Sequence, residues 1–210
     1  MTPRRAALAK RLRERLLDPA AAMALDVHGR TEAGVLVALH LADDRLHAVF
    51  TRRREDLSRH PGEISFPGGR REPGDPDLLA TALRETEEEV GLPAAEVEVL
   101  GALQPTPTIA TGYAVYPFVG LIEPGRTWLP SAGEVAQVLE LSIDELRAGR
   151  ARRRLLRRGL PVRTETYVVG DALIWGATAR MLSDLLERLG DERLGDERPG
   201  EPPEPAQGAG

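Results

Sequence analysis

A predicted helix with two contrasting faces is the feature that most constrains the fold of this chain. It runs from about residue 77 to residue 90, where Gly91 supplies a natural C-cap and Pro93 prevents continuation. Helical spacing places an apolar set of side chains on one side and three glutamates on the opposite side. The apolar set is Leu79, Leu83, Thr86 and Val90, and the acidic set is Glu85, Glu88 and Glu89. We therefore expect one face to pack and the other to be acidic.

The acidic face lies near the helix C-terminus, where negative charge destabilises a helix. Each carboxylate there costs about 0.3–1 kcal/mol, and two carboxylates about 4 Å apart repel by roughly 4 kcal/mol at a protein surface. Charge concentrated where helix physics disfavours it indicates a functional site. A divalent cation would relieve the repulsion. The chain has no cysteine and four histidines, so hard oxygen ligands favour Mg²⁺ or Mn²⁺ over zinc.

The alternative is an acidic helix face that is simply solvated and binds nothing. The preceding residues favour the functional interpretation, because a short strand at 64–66 is broken by Pro67-Gly68-Gly69 and a turn-rich loop follows at 70–76. This order would expose backbone carbonyls beside the carboxylates, and loop carbonyls are good ligands for hard cations.

The remaining pattern predicts a mixed α/β protein, because apolar β-prone runs alternate with turn-rich segments and amphipathic helices. Further strands are predicted at 35–41, 46–51, 97–103, 115–122, 138–141 and 164–169, the first two forming a hairpin through residues 42–45. Further helices are predicted from Pro3 to Leu16, stopped by Asp18-Pro19, after a capping box at Ser142, and from about Trp175 to Leu189.

Residues 84–92 resemble the second half of the Nudix box, written G-x5-E-x7-R-E-U-x-E-E-x-G-U with U a large apolar residue. They match at every position except Thr86, which stands where an apolar residue is usual. In the first half, Pro76 stands at the usual glutamate, Glu72 and Asp75 lie nearby, and Gly69 comes one residue early. The resemblance implies an α/β fold, an α/β/α sandwich with a mixed β-sheet and the box helix beside the active cleft.

A narrower resemblance is to the coenzyme A pyrophosphatase branch of that superfamily, which carries L-L-T-x-R-S-x3-R-x3-G-x-V-x-F-P-G-G upstream of the box. Arg53, Gly62 and the sequence at 66–69 match, whereas Ser58 replaces the second arginine and Arg59 is adjacent. Other matches are Thr81-Ala82, Glu134-Val135 and Ile174 to Ala179. The resemblance covers roughly Val35 to Leu189. It implies hydrolysis of CoA or its thioesters to 3',5'-ADP and a 4'-phosphopantetheine product.

We assign Glu85 and Glu89 as the leading metal ligands and Glu88 as another ligand or a base. The resemblance implies that the Gly69 carbonyl completes the metal shell, with Gly68 and Gly69 at the substrate. Three further site residues have assigned roles with alternatives. Arg84 pairs with a box glutamate and fixes its rotamer rather than touching substrate. Glu134 is a general base, a ligand or a surface residue, and Arg53 binds a phosphate or faces solvent.

Two other groups of residues are weaker candidates. His60 could contact substrate, although a lone histidine is more often structural. The arginines between Arg150 and Arg158 would suit the CoA 3'-phosphate or a polyanion by charge, and Leu155-Leu156 within them equally suits an amphipathic segment. The net charge of −5 and the lack of interleaved aromatic residues argue against nucleic acid as the main partner.

We divide the chain into an N-terminal amphipathic helix and linker at 1–30, a Nudix hydrolase domain at 31–189, and an acidic Pro/Gly-rich tail at 190–210. The tail is expected to be disordered, because it cannot bury enough apolar area to offset its ordering entropy. No run approaches the roughly 18 apolar residues of a spanning helix. We expect a cytoplasmic monomer or homodimer that contacts no membrane.

Two alternatives to CoA hydrolysis stay open. The first is a Nudix hydrolase of ADP-ribose, NADH or a nucleoside triphosphate, against which the segment from Arg53 to Gly69 argues. The second is a non-catalytic Nudix-like nucleotide-binding module, which the irregular first half of the box allows. The presence of Glu85, Glu88 and Glu89 disfavours this second alternative.

Overall fold

The computed structural model describes residues 2–57, 60–108, 112–157 and 160–190 of the protein. Its helices are α1 (Pro3–Arg15), α2 (Pro19–Met23), α3 (Leu78–Val90), α4 (Ile143–Ala148) and α5 (Gly176–Leu189). Its strands are β1 (Thr31–Ala42), β2 (Arg45–Arg53), β3 (Ile64–Ser65), β4 (Gly68–Arg70), β5 (Glu98–Ala102), β6 (Thr106–Pro107), β7 (Tyr113–Leu121), β8 (Val135–Ser142), β9 (Arg150–Arg157), β10 (Leu160–Val169) and β11 (Ala172–Trp175).

Strand β1 has a hydrophobic core on each of its two faces. Its odd-numbered side chains from Val35 to Leu39 join a core with α1, α4 and α5. The even-numbered Leu36 and Ala38 face the opposite way, into a core with α2 and α3. A strand covered on both faces reads as a continuous apolar run, which is how the sequence predicted it. The result is the expected α/β/α sandwich.

The main sheet is mixed and contains eight strands. Its central order is β3-β2-β1-β7-β5, with β4 on β1, β6 on β7 and β8 on β2. Only the central pair β1 and β7 is parallel among the pairings of this sheet in the described ranges. A separate antiparallel sheet has the order β11-β10-β9. The predicted mixed sheet is therefore confirmed.

The predicted hairpin is present, with longer strands than the sequence indicated. Asp43 and Asp44 form its turn with φ values of 48° and 61°. Positive φ at both turn positions matches the twist of the flanking strands.

At element ends, one local prediction was wrong and two were incomplete. The Ser142 side chain does not cap α4, because Ser142 is buried as the last residue of β8 and its hydroxyl has no partner among the described residues. Asp18-Pro19 does more than stop a helix, since Asp18 Oδ1 caps α2 by accepting from the amides of Ala20 and Ala21. Strand β11 was not predicted; it precedes α5, and Trp175 is the N-cap of that helix.

Helix α1 packs against the same core as α5. Leu8 and Leu12 are buried in it. Arg15 Nη1 donates to the Arg188 carbonyl at 3.1 Å, and Arg188 Nη1 donates to the Arg15 carbonyl at 2.5 Å. The N-terminal helix is therefore tied to the end of the C-terminal helix by reciprocal arginine bonds.

Some predictions fall where the structure gives no description. The tail beyond Gly190, the Ser58-Arg59 pair and Arg158 lie outside the described residues. The divisions at residues 30 and 190 stay predictions. Among the described helices, none combines the length and the apolar composition needed to cross a membrane.

Candidate active site

Helix α3 begins and ends as the sequence predicted. Asp77 is its N-cap, and Asp77 Oδ1 accepts from the Ala80 amide at 2.8 Å. Gly91 ends the helix with a φ of 71°, a left-handed conformation that glycine adopts without steric cost. These two caps fix the frame in which the three glutamates are presented.

The predicted separation of the two faces of α3 was wrong at Glu89. Glu89 is only 7% exposed and belongs to the buried residues of the helix, together with Ala82 and Thr86. Leu79 and Leu83 are only partly buried against the core. Thr86 replaces the usual apolar residue without leaving a bare hydroxyl, because its Oγ1 donates to the Ala82 carbonyl at 2.6 Å.

The three glutamates therefore form a gradient from the core to the solvent. Glu89 is buried, the Glu85 side chain is 19% exposed, and the Glu88 side chain is 61% exposed. In the order Glu89, Glu85, Glu88, the side chains turn from the packed side of α3 toward its solvent-exposed side.

Gly68 and Gly69 bring a backbone segment directly against these carboxylates. The Gly68 amide donates to Glu89 Oε2 at 3.1 Å. A Cβ on Gly69 would lie 2.5 and 2.6 Å from the two carboxylate oxygens of Glu85, so any side chain at this position would displace that carboxylate. The segment was expected to be loop, but it forms β4 against β1, pairing with Gly34 and Val35. Because Gly68 and Gly69 carry no side chain, β4 can approach β1 closely enough to pair with it.

Burial gives both inner glutamates an unusual electrostatic character. Desolvation raises the pKa of Glu89 to about 7, opposed by the Gly68 amide and Arg53 and supported by the nearby charges of Glu85 and Glu134. Desolvation also raises the pKa of Glu85, opposed mainly by the Arg84 guanidinium. Both shifts have the sign expected for carboxylates in a low-dielectric site with too little positive charge.

Arg84 binds acidic residues as predicted, but its main partner is Asp75. Arg84 Nε and Nη2 contact the two Asp75 oxygens at 2.9 Å each, and other contacts reach Glu85 at 3.1 Å and Glu88 at 3.2 Å. Asp75 also accepts from Thr81 Oγ1 and from the Glu72 amide. In the sequence, the signal for Asp75 is its position, one residue before the place where the Nudix box usually has a glutamate.

Glu134, in the loop before β8, and Arg53, on β2, reach the same region. Arg53 Nη1 lies 3.7 Å from Glu134 Oε2, and Arg53 Nε is buried without a partner among the described residues. The loop that carries Glu134 is bonded to α3, because the Ser131 amide donates to the Glu89 carbonyl at 2.8 Å. Every assigned site residue therefore belongs to one connected region around the end of α3.

The sequence matches the NUDIX domain family over residues 30–159, well over half of the chain. The chain belongs to the Nudix family. A relative named "Uncharacterized Nudix hydrolase NudL" from Photorhabdus laumondii is 39% identical over 143 residues, covering 67% of this chain and 76% of that protein. A relative with the same name from Enterobacter sp. is 36% identical over 170 residues, covering 80% and 88%.

The solved structures show the same fold at low identity. The NUDIX domain of Shewanella oneidensis NrtR, solved with ADP ribose, aligns with a TM-score of 0.54 and 16% identity over 90% of this chain and 100% of that one. A MutT/nudix family protein from Enterococcus faecalis gives 0.53 and 13%, over 79% and 64%. These likenesses support the Nudix sandwich described above.

The two weaker candidates make local contacts or face solvent. His60 Nδ1 is 2.7 Å from Glu63 Oε2, so this exposed ring has a local partner. The arginine cluster lies on β9 at the edge of the second sheet, where Arg150 binds Glu165 and Arg152 to Arg154 are exposed. In the described ranges, no group of three or more acidic or histidine side chains is arranged closely enough to hold a metal ion as it stands.

Proposed function

We propose that this Nudix protein is a divalent-metal-dependent hydrolase that cleaves the diphosphate of CoA or of CoA thioesters. The products would be 3',5'-ADP and 4'-phosphopantetheine or its acyl derivative. The observation that carries the proposal is the convergence of Glu85 and Glu89, one helical turn apart, on the backbone of Gly68 and Gly69. The substrate assignment is supported by residues 53–69, which resemble the coenzyme A pyrophosphatase motif and lead into this backbone.

The residues present fit a hard divalent cation. Glu89 is buried with a single described hydrogen bond, from the Gly68 amide, and Glu85 lies half-buried beside it. Two desolvated carboxylates with so little compensation favour a Mg²⁺ or Mn²⁺ ion as their partner. We assign Glu85, Glu89 and Glu88 to hold it, with the Gly69 carbonyl as a further donor. When bound, the ion would supply charge neutralisation of the diphosphate and acidify the attacking water.

The protein's own groups supply orientation and proton transfer. Arg84 contacts both Glu85 and Glu88 and is itself fixed by Asp75, so it holds the two carboxylates in place. Glu134 is 56% exposed and lies in the loop that is bonded to α3. We assign Glu134 as the base that accepts a proton from the water attacking phosphorus, while the bond to the bridging oxygen breaks. Glu88 is the alternative base.

Arg53 is assigned to a substrate phosphate. Its Nε has no partner among the described residues, and Glu134 lies only loosely beside its Nη1, at 3.7 Å, so the guanidinium is not committed to a carboxylate. A guanidinium in this state suits a phosphate oxygen, because charge-assisted hydrogen bonds to phosphate are strong and directional. Arg53 also stands where the CoA branch carries its first motif arginine, which supports CoA over the other diphosphates.

Product identification on a panel of diphosphates tests the proposal. The panel contains CoA, acetyl-CoA, ADP-ribose, NADH and a nucleoside triphosphate, each with Mg²⁺, with Mn²⁺ and with chelator. We expect 3',5'-ADP from both CoA compounds, only when a metal is present. Rapid cleavage of ADP-ribose with CoA untouched would reject the substrate assignment. Tight nucleotide binding without turnover of any compound would identify a non-catalytic module.

A further inference from the structure

Glu134 lies in a loop that crosses the C-terminal end of α3, and we name residues 129–135 the Glu134 loop. The Leu129 amide donates to the Val90 carbonyl at 3.1 Å, and the Ser131 amide donates to the Glu89 carbonyl at 2.8 Å. These bonds fix the first half of the loop to the helix that carries the acidic site. The Glu134 side chain itself is mostly exposed, so packing alone does not determine its position.

The second half of the Glu134 loop is shaped by a bulge between β2 and β8. Arg52 pairs with Gln137, and the next residue, Arg53, pairs with Val135, so β8 has one extra residue at this point. A β-bulge bends its strand and re-aims the neighbouring side chains. Beyond the bulge, the Arg54 amide donates to the Glu134 carbonyl at 3.0 Å and continues the ladder for one more residue.

The side chain of Arg54 adds a second bond to the same loop. Its Nη1 donates to the Ala132 carbonyl at 2.6 Å. Its Nε and Nη2 bind the two oxygens of Asp56 at 2.8 and 2.6 Å. The bidentate pair fixes the plane of the guanidinium, so the remaining nitrogen is aimed at the loop. A lysine has no such planar fork and cannot reproduce both sets of bonds.

We propose that Arg54 is a positioning residue that holds the Glu134 loop, and with it the Glu134 carboxylate, at the catalytic end of α3. The proposal rests on the proposed role of Glu134 as the base. Arg54 acts through the loop, whereas its neighbour Arg53 points toward Glu134 and the substrate region. Loss of the Arg54 side chain removes the bond to the Ala132 carbonyl but leaves the backbone bonds of Leu129, Ser131 and Glu134 in place.

The kinetic test compares Arg54→Ala with Glu134→Gln and with the double variant. We expect Arg54→Ala to lower kcat by about tenfold with KM within about twofold, because small misplacements of a catalytic group slow the chemical step. In the Glu134→Gln background, the same change should have no further effect on kcat. Arg54→Lys should recover part of the loss. Arg4→Ala is the matched control, because Arg4 makes a similar exposed pair with Asp44 and bonds its carbonyl.

Amide hydrogen exchange supplies a readout that does not depend on turnover. The amides at 129–135 should exchange several-fold faster in Arg54→Ala than in the wild type, with α3 and β1 unchanged. Arg4→Ala should leave this segment unaffected. The proposal is overturned by unchanged exchange in Arg54→Ala, or by an equal loss of kcat in the presence and absence of the Glu134 carboxylate.

Failure of the proposed function would look different from failure of this inference. If the wild type hydrolyses no diphosphate in the panel, the function is rejected, while exchange still measures whether Arg54 holds the loop. If turnover is normal but Glu134→Gln leaves kcat unchanged, the role of Glu134 is rejected, and the assignment of Arg54 to catalytic positioning is overturned with it.

Discussion

Asp75 and Arg84 form a two-pronged ion pair at the edge of the acidic site. Arg84 Nε lies 2.9 Å from Asp75 Oδ1, and Nη2 lies 2.9 Å from Oδ2. The Asp75 side chain is 6% exposed and that of Arg84 is 27% exposed. The same guanidinium contacts Glu85 and Glu88. The loop before α3 and the carboxylates on α3 therefore share the positive charge of Arg84.

Replacing Asp75 with asparagine should destabilise the protein. Asparagine keeps the size but removes the charge that Arg84 binds, and we expect the free energy of unfolding to fall by about 2 kcal/mol at pH 7. Urea denaturation measures the change. Asp171→Asn is the control, because Asp171 pairs with Arg52 through a side chain that is 80% exposed, and its loss should be much smaller. Equal losses in the two variants would contradict the account.

The effect of Asp75 should depend on pH in a defined direction. The Arg84 guanidinium, the Glu72 amide and the Thr81 hydroxyl hold the pKa of Asp75 well below its ordinary value. A depressed carboxyl pKa contributes stability that is fully present above the unfolded pKa, about 3.9, and is lost as the pH falls toward the folded value. The stability gap between the wild type and Asp75→Asn should therefore be constant from pH 7 to pH 5 and narrow below about pH 4. A gap that widens in acid would contradict the assignment.

Adding a methyl group at Gly69 should damage the site more than the fold. The new Cβ would press on the carboxylate of Glu85, which is the movable end of a side chain, so the clash is relieved by displacing Glu85. We expect kcat to fall about 10–100-fold and the melting temperature to change little. Gly74→Ala is the matched control, since a Cβ at Gly74 would meet nothing within 4 Å. Full activity in Gly69→Ala would show that Glu85 is not needed in its present position.

Removing the Arg53 guanidinium should weaken substrate binding. Charge-assisted hydrogen bonds are worth about 1.5–3 kcal/mol, so Arg53→Ala should raise KM for CoA by about tenfold or more. Arg52→Ala provides the comparison, because Arg52 lies next to it on β2 and binds Asp171 instead. KM should stay within about twofold in Arg52→Ala. Steady-state kinetics on CoA and on ADP-ribose would show whether the Arg53 effect is specific to CoA.

The sequence predicted the framework of the fold because its signals are local. The continuous apolar run at Val35 and the Asp43-Asp44 turn are properties of a few adjacent residues, and both elements are present. Asp77 and Gly91 likewise end α3 where expected. Strand β4 was missed because its formation depends on Gly34, more than 30 positions earlier in the chain, rather than on the propensity of Gly68 and Gly69.

The candidate site was predicted in its residue types but not in its contacts. A helical wheel placed Glu89 with the exposed acids because it has no information on which neighbours cover the helix. In the structure, β4 covers that side and buries the carboxylate. The Asp75–Arg84 pair and the hold of Arg54 on the Ala132 carbonyl each join separate segments, and neither leaves a periodic signal in the sequence.

The central claim is that Glu85 and Glu89 exist to bind a divalent cation, and calorimetric titration of Mn²⁺ into the wild type and Glu89→Gln tests it most directly. The substitution keeps the shape and removes a buried charge, so the metal-free variant should be no less stable than the wild type at pH 8. The account predicts Mn²⁺ binding to the wild type and at least about tenfold weaker binding to Glu89→Gln. Equal Mn²⁺ affinity in the two proteins would contradict it.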